Sequence, residues 1–286
     1  MNSRLKFLSF IADAGLATNK DVQNLCYGDS VYGNTSARRL TLDLKKEGFL
    51  VFFESKTDGV GRSPKVFSIN KDKKHEVLDV TGRDSVKVID PNGSFHVKHQ
   101  LCINSVLVSF LACCERNKNY ECEFITDLEG TGRNKVFKAI TEKEYLPYWG
   151  KVVFVPDAVI CVTNIAQKRK ALFFFEMDRE TTTLKKIGGK DKNVQTKIKA
   201  YGSLWESKKF KKYDEVFDYS FPGFRLLWVA LSQRRVDAVS KFCDQEGLGD
   251  SAWLSTIKEI ESKGVFGKVW TVPGSKNQRS LVKEKA

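Results

Sequence analysis

Three carboxylates stand where two apolar runs give out. Glu176 and Asp178 close Ala171-Leu-Phe-Phe-Phe-Glu-Met-Asp178, and Asp157 closes Val152-Val-Phe-Val-Pro-Asp157. Side chains alternate faces along a strand, so Leu172, Phe174, Glu176 and Asp178 point the same way. Two acids replacing apolar residues on that face cost free energy unless something of opposite charge compensates. A divalent cation would do so. Mg²⁺ or Mn²⁺ prefers oxygen ligands, and Asp157, Glu176 and Asp178 supply charge for one ion, or for two with phosphate oxygens. Such an ion would polarise a scissile phosphate and lower the pKa of a bound water. The competing reading is a solvated strand end on which Glu176 and Asp178 pair with Arg179, Lys168 or Lys170.

The cations point the same way. The 286-residue chain carries a net charge of +13, and clustered Lys and Arg gain from phosphates and released counterions. A nucleic acid is the first partner expected and an anionic membrane surface the second. From Ile165 to Lys212 there are fourteen Lys or Arg against five acids. Lys168, Arg169, Lys170, Lys190 and Lys192 in this run are expected to hold a nucleic-acid backbone across the carboxylates. The alternative is an ordinary solvated face.

Elements must position these groups. A content of 41% hydrophobic and 12% aromatic residues is enough for two folded domains. The first seventy residues give three helical patterns and then two strand patterns, the order of a winged helix-turn-helix. Ser3 to Ala14 is helical and Gly15 stops it. Thr18-Asn-Lys-Asp21 is a capping-box start for a second helix. Asn34-Thr-Ser36 opens a third, whose buried stripe is Ala37, Leu40 and Leu44. Ser36, Arg38, Arg39 and Lys45 are then candidates to read DNA. Strands at Gly48 to Phe53 and Lys65 to Ile69 flank a turn-rich wing, with Arg62 and Lys65 placed to meet phosphate. A winged helix used for protein contacts is the alternative.

Residues 71–95 are polar and turn-rich and are expected to be a linker. A second domain at 96–275 follows, with 276–286 as a basic tail. Its expected order is a helix at Gln100 to Arg116 and strands at Tyr120 to Thr126, Lys151 to Thr163 and Ala171 to Asp178. A helix at Lys192 to Ser207 and a strand at Phe224 to Ser232 come next. Helices at Arg235 to Glu246 and Ala252 to Lys263 and a strand at Phe266 to Val272 complete it. The apolar run Leu101 to Cys114 is too short to span a bilayer and is expected to be a core helix, with no membrane insertion. Seven cysteines without a Cys-x-x-Cys pair suggest reduced thiols in a cytoplasmic protein. His96 and His99, Gly130-Thr-Gly132 and Gly188-Gly-Lys190 lack the spacing of a metal, dinucleotide or P-loop motif. Tyr201 lies on an apolar helix face and is expected in the core.

The order helix, three strands, helix, strand, with Pro156-Asp157 and Glu176, resembles the PD-(D/E)XK nuclease superfamily. The resemblance implies a restriction-endonuclease-like α/β domain with a mixed sheet. It also implies Mg²⁺ or Mn²⁺ at Asp157 and Glu176, and a lysine that orients or activates water. Asp178 stands at that lysine's position. Some members carry the lysine on the following helix, where Val194, Ile198, Tyr201 and Trp205 mark the buried face. Lys197 beside that stripe is the candidate, with Gln195 as a polar neighbour. Otherwise Lys197 extends past the stripe to water.

A wider resemblance covers most of the chain. The amino-terminal winged helix, His99-Gln-Leu-Cys-Ile-Asn-Ser105, Pro156-Asp157-Ala158, Phe174-Phe-Glu-Met-Asp-Arg179 and Lys197-Ile-Lys-Ala-Tyr201 resemble the plasmid replication-relaxation family, which includes mobilisation relaxases. This implies a protein of a plasmid or integrative element that recognises an origin of transfer or replication. It would nick DNA there, with Asp157, Glu176, Asp178 and Lys197 as its catalytic residues, alongside conjugation or replication machinery. The rival of a different class is a non-catalytic origin-binding regulator with a decayed nuclease fold.

Overall fold

The computed structural model describes residues 2–28, 30–54, 65–89, 97–126, 142–146, 150–184 and 193–282. They form two compact units that divide between residues 112 and 113.

In the first unit, α1 (Ser3–Ala14) ends at Gly15, whose φ of 76° is a conformation that favours glycine. β1 (Ala17–Thr18) leads into α2 (Asn19–Cys26), which opens with a capping box. The Thr18 side chain accepts from Asp21 N–H, while the Asp21 carboxylate accepts from Thr18 N–H. α3 (Gly33–Lys46) starts without a side-chain cap and buries Ala37, Thr41 and Leu44. Leu40 is only half-buried, and Thr41 takes its place by donating to Asn19 Oδ1 on α2 at 3.1 Å. β2 (Leu50–Glu54) and β3 (Lys65–Ile69) pair antiparallel, and β1 joins the free edge of β3 to give the order β1-β3-β2. The two-residue β1 is too short to leave a pattern in the sequence.

The stretch expected to be a linker contains α4 (Lys74–Thr81), ended by Gly82 in the left-handed conformation. α5 (Val97–Arg116) begins earlier than expected, and its first part belongs to the first unit. Asn104 explains the attachment. It is fully buried, donates to Leu16 O at 2.7 Å and accepts from Gln100 Nε2 at 2.8 Å. The asparagine of the His99-to-Asn104 element is therefore a tether to the turn after α1. α5 has the length and apolarity of a membrane span, but Ile103, Val106, Leu107, Val108 and Phe110 are buried within the protein.

The second unit is built on a five-stranded mixed sheet in the order β10-β9-β8-β7-β4. Its strands are β4 (Tyr120–Thr126), β7 (Ala158–Asn164), β8 (Arg169–Asp178), β9 (Phe224–Ala230) and β10 (Ala252–Thr256). β8, β9 and β10 run parallel, whereas β7 is antiparallel to both β8 and β4. β5 (Glu142–Leu146) and β6 (Gly150–Phe154) make a separate antiparallel pair. α6 (Val194–Glu206), the short α7 (Tyr213–Val216) and α8 (Gln233–Gln245) contribute to one apolar core with the even-numbered face of β8. α9 (Ile257–Lys263) follows β10.

Three expected elements are corrected. The single strand Lys151 to Thr163 is two strands in different sheets, because Pro156 has no N–H for a ladder and breaks the run. Ala252 to Thr256 is a strand rather than the start of a helix. All five of its residues are buried, the uniform pattern of a covered parallel strand. Phe266 to Val272 makes only isolated bridges, Leu254 to Thr271 and Trp270 to Arg279.

Candidate functional site at the carboxyl end of β8

Asp157 comes just before β7 rather than at the end of a strand. Because β7 runs antiparallel to β8, the start of one lies beside the end of the other, and Ala158 pairs with Phe175. Asp157 N–H donates to Phe175 O at 3.0 Å, and Asp157 Oδ2 accepts from Met177 N–H at 2.7 Å. The residue thus brackets Glu176 from both sides. Its carboxylate replaces a ladder that Pro156 has ended.

Glu176 is 3% exposed. One carboxylate oxygen, Oε2, is ion-paired with Lys197 Nζ. The other, Oε1, accepts from Tyr201 O–H at 2.5 Å. Lys197 and Tyr201 are four residues apart on α6 and so share one face. The Tyr201 ring is packed edge-on against Phe154 and Phe174. The register of α6 is fixed at its start. Asn193 accepts from Thr196 N–H at 2.9 Å, and the Thr183 and Leu184 carbonyls take the N–H groups of Val194 and Gln195.

Burial raises the Glu176 pKa to about 7, and the nearby Asp157 charge adds to the rise; Lys197 and the two hydrogen bonds oppose it. For Lys197, burial acts to lower the pKa, but the charges of Glu176, Asp157 and Asp178 outweigh it and the pKa is raised. Lys197 is therefore a cation at neutral pH, paired with Glu176 and stabilised by the charges of Asp157 and Asp178. Its side chain keeps 28% exposure, open to solvent.

Asp178 belongs to a different arrangement. Arg235 on α8 grips it with Nε to Oδ2 at 2.6 Å and Nη2 to Oδ1 at 3.3 Å, and donates to Thr182 O at 2.5 Å. Asp178 Oδ1 also accepts from Glu180 N–H at 2.7 Å. Neither acid pairs with Arg179, Lys168 or Lys170. Among the described residues no three His, Cys, Asp or Glu side chains are placed to hold a metal ion. Asp157 and Glu176 thus lie together, whereas both oxygens of Asp178 bond to the buried Arg235 guanidinium.

Sequence reasoning missed Arg235 and Trp228. Arg235 shares the buried side of α8 with Val236, Val239 and Cys243, and an arginine within an apolar stripe is the available signal. Trp228 lies in register with Glu176 on β9, and its buried Nε1 has no hydrogen-bond partner among the described residues.

Among the described residues, the cations of the basic run are less concentrated at this site than the sequence suggests. Arg169 and Lys170 begin β8, and Lys168 is in the turn before it. At about 3.3 Å per residue they lie roughly 20 Å from Glu176 along the strand. Lys209 is ion-paired with Glu144, Lys211 with Asp214 and Lys199 with Glu246. Lys190 and Lys192 fall outside the described residues, as does Arg62. In the first unit Arg38, Arg39 and Lys45 are exposed on α3, Ser36 is half-buried, and Lys65 is exposed at the start of β3. Lys45 Nζ also sits 4.6 Å from the centre of the Phe52 ring.

No curated protein and no solved structure matches the chain. A family model described as replication-relaxation matches residues 8–219, a span that includes part of α1, all of α2 and α3, Asp157, Glu176 and Lys197 and stops before Arg235. The chain belongs to the replication-relaxation family.

Proposed function

We propose that this is a relaxase-like DNA endonuclease that recognises an origin through its first unit and nicks DNA at the Asp157, Glu176 and Lys197 cluster. The observation that carries the reading is the ion pair between Lys197 and Glu176. A lysine from the helix after the third strand, not from the strand itself, reaches the carboxylate beside Asp157. This agrees with a PD-(D/E)XK-like site whose lysine has moved.

Asp157 and Glu176 fit Mg²⁺ or Mn²⁺, because Mg²⁺ is commonly held by one or two carboxylates together with substrate phosphates. When bound, the ion would supply polarisation of the scissile phosphate and a more acidic water. The chain's own residues would do the rest. Lys197, held protonated, is suited to attract and orient a phosphate oxygen rather than to take a proton. Glu176, whose pKa is near 7 without a metal, would be held ionised by the bound ion as its ligand. Tyr201 is fully buried and holds Glu176, which fits a positioning role.

The first unit supports the DNA reading through its order of helices and strands, that of a winged helix-turn-helix. It offers Arg38, Arg39 and Lys45 on the open face of α3 for a DNA groove, with Lys65 beside the wing. The expected setting is the cytoplasm, alongside replication or conjugation machinery. A second reading, an origin-binding protein without cleavage, is favoured by one observation. Asp178 is locked to Arg235, so the acid-x-acid pair does not act as a unit.

The test is nicking of supercoiled plasmid carrying the element's own origin, with Mg²⁺, Mn²⁺ or EDTA. Metal-dependent relaxation lost in Asp157→Ala and Glu176→Ala supports the nuclease. Origin binding without cleavage under any metal supports the second reading.

A further inference from the structure

The opposite end and opposite face of the same sheet carry a second cluster. Residues on the odd-numbered face of β8 alternate away from Glu176, and Phe173 on that face lies in register with Arg225 on β9. Arg225 opens into a cavity of about 350 Å³, at the small end of the roughly 300–1,000 Å³ range of ligand sites. Arg169 and Lys170 also line it, Tyr120 and Phe266 wall it, and none of its described lining residues is a carboxylate.

Arg225 is half-buried, with five N–H donors and no hydrogen bond or ion pair to a described residue. Its guanidinium stacks 4.9 Å from the centre of the Trp253 ring. Burial lowers its pKa, and the positive charge of Arg279 lowers it further. A desolvated guanidinium facing more positive charge favours an incoming anion, and its planar fork matches phosphate. Tyr120 and Phe266 lie edge to face with centroids 5.5 Å apart, and together they offer an aromatic wall for a planar base. A second cavity of about 370 Å³, lined also by Asp250, shares Lys170, Ala171 and Arg225 with the first. Two adjoining cavities that share two cations suit successive units of a strand better than a single small molecule.

We propose that the Arg225 cavity is a nucleotide subsite, in which Arg225 and Arg169 hold a phosphate of single-stranded DNA and Tyr120 and Phe266 receive its base. The site deepens the proposed role on DNA, but its chemistry does not depend on cleavage. Stacking of bases on aromatic side chains above a basic groove is the general mode of single-strand binding.

The experiment measures binding of a fluorescent ten-residue thymidine oligonucleotide to the full chain across a salt series, with thymidine monophosphate and inorganic phosphate as competitors. Arg225→Gln is expected to weaken oligonucleotide binding about tenfold and to reduce the salt slope by roughly one. Arg169→Gln, an exposed change that leaves packing untouched, should act in the same direction. Phe266→Ala should weaken the oligonucleotide while leaving competition by inorganic phosphate intact. The titration is run in EDTA, where the proposed nicking does not occur, so failure of the nicking reading leaves this result readable. Native affinity in both arginine variants overturns the proposal. Displacement of the oligonucleotide by thymidine monophosphate as effectively as by unlabelled oligonucleotide, at equal nucleotide concentration, overturns the assignment to a strand.

Discussion

Glu176 and Asp178 are two residues apart on one face of one strand, yet different cations hold them. Glu176 meets a lysine that remains 28% exposed, and its pKa has risen to about 7. Asp178 meets a guanidinium whose side chain is 9% exposed and which also ties down Thr182. The first pair is open and can exchange partners or protons. The second is a closed clamp joining β8, the loop after it and α8. Spacing placed both acids on one face, but the elements packed above them decide what each can do.

Breaking the clamp should have the largest effect. Arg235→Met leaves Asp178 charged and buried, and the expected loss is about 3–5 kcal/mol in urea denaturation. Adding Asp178→Asn should restore part of it. If Arg235→Met costs less than 1 kcal/mol, the clamp is not structural.

At Glu176 the effect depends on pH. Its folded-state pKa is raised from 4.5 to about 7, so between these values the folded chain binds more protons than the unfolded one. Stability from this group is therefore full below pH 4.5 and falls as pH rises through 7. Without divalent metal, the stability of Glu176→Gln relative to the native chain should therefore rise with pH, by up to roughly 3 kcal/mol between about pH 5 and pH 8.5. Urea midpoints from pH 5 to 8.5 would show it, and a pH-independent difference would contradict it.

Lys197→Met should cost less than the clamp variant, about 1–2 kcal/mol at pH 8, because Glu176 can take up a proton when its partner is gone. The comparison fails if the two lysine and arginine variants cost the same. The smallest effect is expected from Tyr201→Phe. The ring still packs against Phe154 and Phe174, and only the hydrogen bond to Glu176 is lost, about 1 kcal/mol by thermal denaturation.

Local signals were the legible part of the fold. Gly15, the Thr18–Asp21 box and the α6 stripe of Val194, Ile198 and Tyr201 are short-range features, and each appears in the structure, whereas Trp205, expected on the same stripe, is 37% exposed at the end of α6. Lys197 was legible too, since helix periodicity put it beside that stripe. Features that depend on pairing partners were not. That Asp157 adjoins Glu176 follows from the antiparallel register of β7 and β8, whereas the sequence shows only that each ends an apolar run. Arg235 lies 57 residues from Asp178, so no local pattern links them. The basic run at 168–170 is close to Glu176 in sequence but roughly 20 Å away, because an extended strand separates neighbours that a helix would bring together.

The most direct test is plasmid nicking by Lys197→Ala and Asp178→Asn side by side, with Mn²⁺ and at a temperature where both variants are folded. The account predicts that Lys197→Ala abolishes metal-dependent nicking and Asp178→Asn retains most of it. Retention by Lys197→Ala together with loss in Asp178→Asn would contradict it.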